Sequence, residues 1–190
     1  MKRFLVLGLV LAGCSSNAKA VDAANQDGAA VDTGADTFAL MSTAFNVAGA
    51  IPIDNTCEGA NTSPPLAWTG APNGTQSFAV VLTDLSLTPE LVHWVIYDIP
   101  SSATGLPAAV ENAYAPSNVA GAHQPVSVHS PTVGYYGPCP PAVHMYQFAA
   151  YALDVAILPG TTAQTDRATA LAGLQAHMLA RGELTGSFTP

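Results

Sequence analysis

Apolar and polar positions alternate with a period of two through most of the chain after residue 38, which is the signature of half-buried strands. In Ser77 to Asp84, Phe78, Val80, Leu82 and Asp84 fall on one face and Ala79, Val81 and Thr83 on the other. Leu91 to Ile99 predicts a second strand, whose regular alternation places His93 with Val95 and Tyr97, and Tyr146 to Leu153 predicts a third. Turn signals at Asn73-Gly74, Thr104-Gly105 and Pro159-Gly160 separate such runs. One segment breaks the pattern. From Asp166 to Arg181, Leu171, Leu174 and Met178 recur at helical spacing, with Thr165 as N-cap and Gly182 just past the end. Leu184 to Phe188 then predicts a short closing strand. Many strands with one late helix imply a mainly β fold, an antiparallel β-sandwich with a C-terminal helix.

The 190 residues are enough for one domain with a real core, and 49% apolar against 9% charged residues argues for a packed body. The first residues divide from the rest. Met1-Lys2-Arg3 is a charged start and Phe4 to Leu11 an apolar stretch too short to span a bilayer, so residues 1–13 predict an export signal. Leu11-Ala12-Gly13-Cys14 resembles a bacterial lipobox, in which Cys14 is lipidated and becomes the mature N-terminus. An ordinary cleaved signal with an incidental Cys is the alternative. Residues 14–37 follow as a lipidated Cys and a flexible acidic tether rich in Ala, Asp, Asn and Gly, and residues 38–190 form the domain. Such a coil, at ~5–6 Å × √n, reaches about 25 Å.

The formal charge of −8 falls to −10 once Lys2 and Arg3 are removed. So acidic a surface repels phosphate backbones and excludes nucleic acid as a partner. Any anion must be held by local geometry. With Cys14 lipidated, Cys57 and Cys139 remain, and an exported setting permits them to form one disulfide or to stay as two buried thiols.

Candidate chemistry concentrates in three places. Asp84 ends an apolar strand face, where a carboxylate needs a donor, a cation or a ligand, unless it simply caps the turn that follows. His93 is ionisable inside a strand that otherwise reads as buried; taken alone, a core His bonded to a backbone carbonyl explains it. Gly137-Pro138-Cys139-Pro140-Pro141 is a corner stiffened by prolines, whose Gly137 and Cys139 amides would be available to an oxyanion, and it leads into His144 and Tyr146 on one strand face. His123, His129 and His177 read as loop or helix-surface residues.

These residues carry a resemblance. Thr56-Cys57-Glu58-Gly59-Ala60-Asn61-Thr62-Ser63-Pro64-Pro65-Leu66-Ala67-Trp68, Asp84, His93-Trp94-Val95-Ile96-Tyr97-Asp98-Ile99-Pro100 and Gly134-Tyr135-Tyr136-Gly137-Pro138-Cys139-Pro140-Pro141 are similar, in order, to the phosphatidylethanolamine-binding protein (PEBP) family, in its bacterial YbhB/YbcL, Raf-kinase-inhibitor-like branch. The similarity spans about Phe38 to Phe188. It implies a PEBP-like β-sandwich with a small pocket for phosphate-like anions or phospholipid head groups, lined by Asp84, His93, Pro141, His144 and Tyr146, with Gly137 and Pro138 as its lip. It implies a non-catalytic binding or regulatory protein, needing no cofactor and no metal. Ser86 and Met145 depart from the family pattern, which has Asp and Arg there; Val126 to Pro131 replaces an Asn-Asp-Phe-Gly-like stretch; the loop before His144 is about two residues short; and Gly186-Ser187-Phe188 lacks the usual Tyr.

Two other readings stand beside this one. The first is a protease- or kinase-type inhibitor that meets a protein target through its surface loops, with a vestigial pocket. The second is a hydrolase using His as base, or Asp84, His93 and His144 as a two-His-one-carboxylate metal site. The expected location is exported and lipid-anchored, at the outer membrane facing the periplasm or at the cell surface.

Overall fold

The computed structural model describes residues 37–190 apart from Ser130. The export signal, Cys14 and the tether lie outside the described residues. Ten elements follow in order: β1 (Ala39–Met41), β2 (Gly49–Ala50), a 3-10 turn (Ile53–Asn55), β3 (Leu66–Thr69), β4 (Ser77–Asp84), β5 (Leu91–Pro100), β6 (Gly105–Leu106), β7 (His144–Leu153), α1 (Arg167–Ala176) and β8 (Met178–Phe188). The strands form a three-stranded sheet, β1-β3-β6, and a five-stranded sheet, β2-β8-β7-β4-β5. All pairings are antiparallel except that of β2 with β8. The mainly β architecture with one short helix is therefore observed.

Two cores explain the alternation in β4. Phe78, Val80 and Leu82 pack with Leu40, Leu66, Trp68 and Leu106 of the small sheet, and with Trp94, Ile96, Phe148 and Leu184. Ala79 and Val81 face the other way, against Val95, Tyr97, Tyr151, Leu158 and the α1 residues Ala170 and Leu174. The helix covers the back of the large sheet, so β4 is apolar on both faces and polar only where it ends. No helix among the described residues is long and apolar enough to cross a membrane.

The helix is shorter than its sequence pattern. Asp166, not Thr165, is the N-cap, accepting from the Thr169 amide at 2.7 Å. The helix stops at Ala176, and β8 pairs with β7 from Met178 onward, Ala180 opposite Ala152 and Arg181 opposite Tyr151. A long ladder against a buried strand outweighs one more helical turn, and Met178 is 44% exposed, so its helical spacing was coincidental. Gly182 is a strand residue rather than a helix stop; a Cβ there would sit 2.7 Å from the Phe38 carbonyl oxygen.

The register of β5 carries the fold's main irregularity. Leu82 pairs with Trp94, but the next β4 residue, Thr83, pairs with Val92, which leaves His93 as an extra residue. A β-bulge of this kind re-aims a side chain. His93 is consequently turned from the face of Val95 and Tyr97, where alternation puts it, onto the face of Tyr146, with ring centroids 5.5 Å apart and edge to face. As an edge strand, β5 has unpaired backbone groups, and a loop covers them: Tyr97 and His123 exchange backbone bonds of 3.0 and 2.9 Å, and the Val128 amide donates to the His93 carbonyl at 3.1 Å. Gln124 locks the loop by accepting from Trp94 Nε1 at 2.6 Å and donating to the Glu111 and Ala113 carbonyls.

Candidate functional site: a histidine-lined cavity

Register brings the pieces together. Asp84 stands opposite Tyr146 on β7 and opposite Leu91 on β5, while His144 opens β7 two residues before Tyr146 on the same face. With the bulged His93 they form the floor of a cavity of about 240 Å³, walled by Leu87, Leu91, Val128, His129, Tyr136, Cys139, Pro140 and Pro141.

The Asp84 carboxylate does two jobs. Oδ1 accepts from the Ser86 amide at 2.9 Å, capping the turn, and Oδ2 accepts from His144 Nδ1 at 2.6 Å. The pair is largely shielded from water, with side chains 14% and 3% exposed. Because a carboxylate accepts, His144 carries its proton on Nδ1 and presents Nε2 elsewhere. His93 is held similarly. Its Nδ1 lies 3.2 Å from both the Tyr136 and Gly137 carbonyl oxygens, which can only accept, so Nδ1 is protonated and neutral His93 offers Nε2 as an acceptor. Neither Nε2 has a protein partner among the described residues.

Burial lowers the His93 pKa below its ordinary 6.5, against the opposing pull of the Tyr136 carbonyl and the Asp84 charge. The unfolded chain then binds a proton where the folded one does not, so this residue's contribution to stability is lost as pH falls below 6.5 toward the lowered folded value. Tm measured between pH 7.5 and 5.5 should therefore drop more steeply for the wild type than for His93→Gln. Parallel slopes would contradict it.

The Tyr146 hydroxyl is buried with no hydrogen-bond partner. It lies close to Asp84 and to the Cys139 amide without hydrogen-bond geometry to either, and burial, then the carboxylate, raises its pKa. A buried orphan donor beside a cavity marks where a ligand acceptor belongs.

The proline corner works differently from its sequence reading. Pro140 and Pro141 line the cavity, but Gly137 and Pro138 do not. The Gly137 amide, expected to face an oxyanion, donates to Asn61 Oδ1 at 2.8 Å, and the Pro138 carbonyl accepts from the Cys57 amide at 2.9 Å. These two residues brace the wall from behind, against the loop after the 3-10 turn. Tyr135 adds a 2.7 Å bond to the Asn55 carbonyl, and a Cys57–Cys139 disulfide closes the belt. Gly137 is obligatory in this packing, since a Cβ would stand 2.2 Å from the Asn55 carbonyl oxygen.

Of the other histidines, His123 pairs with buried Asp98 at 2.9 Å and His177 with Asp154 at 2.9 Å. His129, read as a loop residue, lines the cavity. Tyr136 and Leu87 were also missed, although the Gly-Tyr-Tyr-Gly run was a usable signal for Tyr136; nothing local marked His129 or Leu87. Met145, at the position of the family's Arg, is 38% exposed and outside the lining, and its amide donates to Ser86 Oγ at 2.9 Å. None of the described lining residues is Lys or Arg. No group of three or more His, Cys, Asp or Glu among the described residues, Asp84, His93 and His144 included, is arranged to hold a metal ion.

Known proteins resemble this chain in sequence and in fold. The chain is 37% identical over 155 residues to a UPF0098 protein of Methanothermobacter thermautotrophicus, covering 78% of this chain and 97% of that one. It is 35% identical over 136 residues to the UPF0098 protein YbcL of Escherichia coli, covering 68% and 72%. LppC, named as a candidate lipoprotein of Mycobacterium tuberculosis, is 34% identical over 134 residues, covering 67% and 62%. The crystal structure of E. coli YbcL, described as a member of the mammalian PEBP family, superposes with a TM-score of 0.72 at 28% identity, over 80% of this chain and 98% of that chain. The sequence profile of the family described as phosphatidylethanolamine-binding protein matches residues 41–189, and the chain belongs to that family.

Proposed function

We propose that the protein is a non-catalytic binding protein whose cavity takes a phosphoryl group, carried by a small phosphate ester or by a phospholipid head group. The observation that carries this is the convergence of the orphan Tyr146 hydroxyl with the two unpartnered Nε2 atoms on one cavity floor. Tyr146 donates to a phosphoryl oxygen, and so does His144 Nε2 when the ring is protonated against Asp84. Neutral His93 needs a donor from the ligand. The P–OH of a phosphate monoester or the ammonium of an ethanolamine head group supplies one. Membership of the phosphatidylethanolamine-binding protein family supports a binding role over a catalytic one. The likeness to LppC supports the lipid-anchored reading, in which Cys14 holds the domain at a membrane by residues 14–37 after export, facing the periplasm at the outer membrane or lying at the cell surface. Action on a protein target through surface loops is the second reading, favoured by the exposed Val143, Met145 and Leu87 around the cavity.

Calorimetric titration of the full chain with phosphoethanolamine and glycerophosphoethanolamine tests the first reading. Binding of the monoester should be tighter at pH 6 than at pH 8, because the P–OH that donates to neutral His93 is lost as pH rises through the ester's second pKa, about 6. His144→Ala should weaken it at least about tenfold, the worth of one charge-assisted bond. No heat from either ligand at either pH would sink the reading.

A further inference from the structure

His129 occupies a position that the floor residues leave open. The floor is built from β4, β5 and β7, whereas His129 comes from the loop that covers the β5 edge and so faces the cavity from another side. That loop is held firmly around it. The Ser127 amide donates to the Thr132 carbonyl at 2.7 Å, the Thr132 amide to the His129 carbonyl at 2.9 Å, and the His129 amide to Ser127 Oγ at 3.2 Å. The neighbouring Val128 amide bonds to the carbonyl of His93 itself, tying the loop to the bulge. The imidazole lies flat on the Tyr136 ring, with centroids 4.7 Å apart and planes 14° apart. A stacked ring has its plane fixed while its nitrogens stay at the edge, where they can meet a ligand. Neither nitrogen has a hydrogen-bond partner among the described residues, and the side chain is exposed.

Electrostatics make the position consequential. Asp84 is the one carboxylate among the described lining residues, and none of them is Lys or Arg. An anion seated over His93 and His144 would have no cationic or donating partner for its outward oxygens from those two side chains or from Tyr146, all of which approach from the floor. We propose that His129 is a ligand-contacting residue, a third imidazole that donates across the mouth of the cavity to the outward oxygens of the bound phosphoryl group. This rests on the phosphoryl reading given above and adds to it a residue that sets affinity from outside the sheet.

Three variants separate a contact from a structural role. His129→Ala removes both stack and donor; His129→Phe keeps an aromatic ring on Tyr136 and removes the donor; His129→Arg restores a donor and a charge. The full-chain proteins are titrated at pH 6 with phosphoethanolamine, a monoester, and with glycerophosphoethanolamine, a diester like a lipid head group. Expected is wild-type binding to at least one of them, a loss of about tenfold in both His129→Ala and His129→Phe, and recovery to within about threefold in His129→Arg. The ligand whose affinity responds identifies the source of the phosphoryl group. Wild-type affinity in His129→Phe would overturn the contact while leaving the phosphoryl reading standing. Failure of the wild type to bind either ligand would overturn both. Circular dichroism of each variant, unchanged from wild type, confirms that the comparison is between folded proteins.

Discussion

Replacing both Cys57 and Cys139 by alanine should lower the unfolding free energy by about 4.5 kcal/mol, the loop-entropy value for a crosslink between residues 82 apart in sequence. The effect acts on the unfolded chain, which gains freedom when the crosslink goes. Against a usual total of roughly 5–15 kcal/mol, that is a large share. In urea denaturation the midpoint should fall and the slope rise, since an uncrosslinked unfolded chain exposes more surface. The same midpoint with and without a reductant would show that the link contributes nothing. Locally, the crosslink is only one strand of a belt. The Cys57 amide on the Pro138 carbonyl, the Gly137 amide on Asn61 and the Tyr135 hydroxyl on Asn55 remain after it is cut. The variant, where it folds, should therefore keep the cavity's shape.

Gly137→Ala attacks the belt itself. Its new Cβ would lie 2.2 Å from the Asn55 carbonyl oxygen and 3.0 Å from the Thr56 Cα, both backbone atoms that cannot rotate aside. The two segments must separate, at a cost of about 3 kcal/mol typical of a severe overpacking. Separation also moves the Tyr136 and Gly137 carbonyls that fix the His93 ring, so ligand affinity should fall together with stability. Chemical denaturation and phosphoethanolamine titration on the same preparation check both. Stability within about 0.5 kcal/mol of wild type would mean that the contact is looser than its geometry.

How much of this was legible in the sequence depends on the range of the interaction that decides each feature. The β4 strand and the face shared by Phe78, Val80 and Leu82 follow from local alternation, and the structure has them at the same residues. The end of α1 was misread because helical spacing through Met178 competes with pairing to a strand some thirty residues earlier, which no local window contains. The same holds for His93. Its place in β5 was clear, but its face was not, because the bulge is a mismatch between two strands rather than a property of either. Gly137 was read as part of a stiff corner with its amide open to an oxyanion, yet its contact with Asn55 and the fate of that amide depend on a loop about eighty residues away. Cysteine pairing was open for the same reason. His129 left no trace, since a histidine in an irregular loop becomes a site residue only through what the loop is folded against.

The order of the large sheet ties the cavity to the chain's synthesis. His144, part of the floor, has Phe188 as its register partner, and Tyr146 has Gly186, both in β8, which follows every lining residue in the chain. Until β8 is in place, β7 is an unpaired edge, and Leu184 and Phe188 are missing from the inter-sheet core. A nascent chain, or one cut before Met178, therefore has every residue of the cavity lining but not the scaffold that aligns them. Alignment of the cavity is thus completed in the same step that seals the sheet.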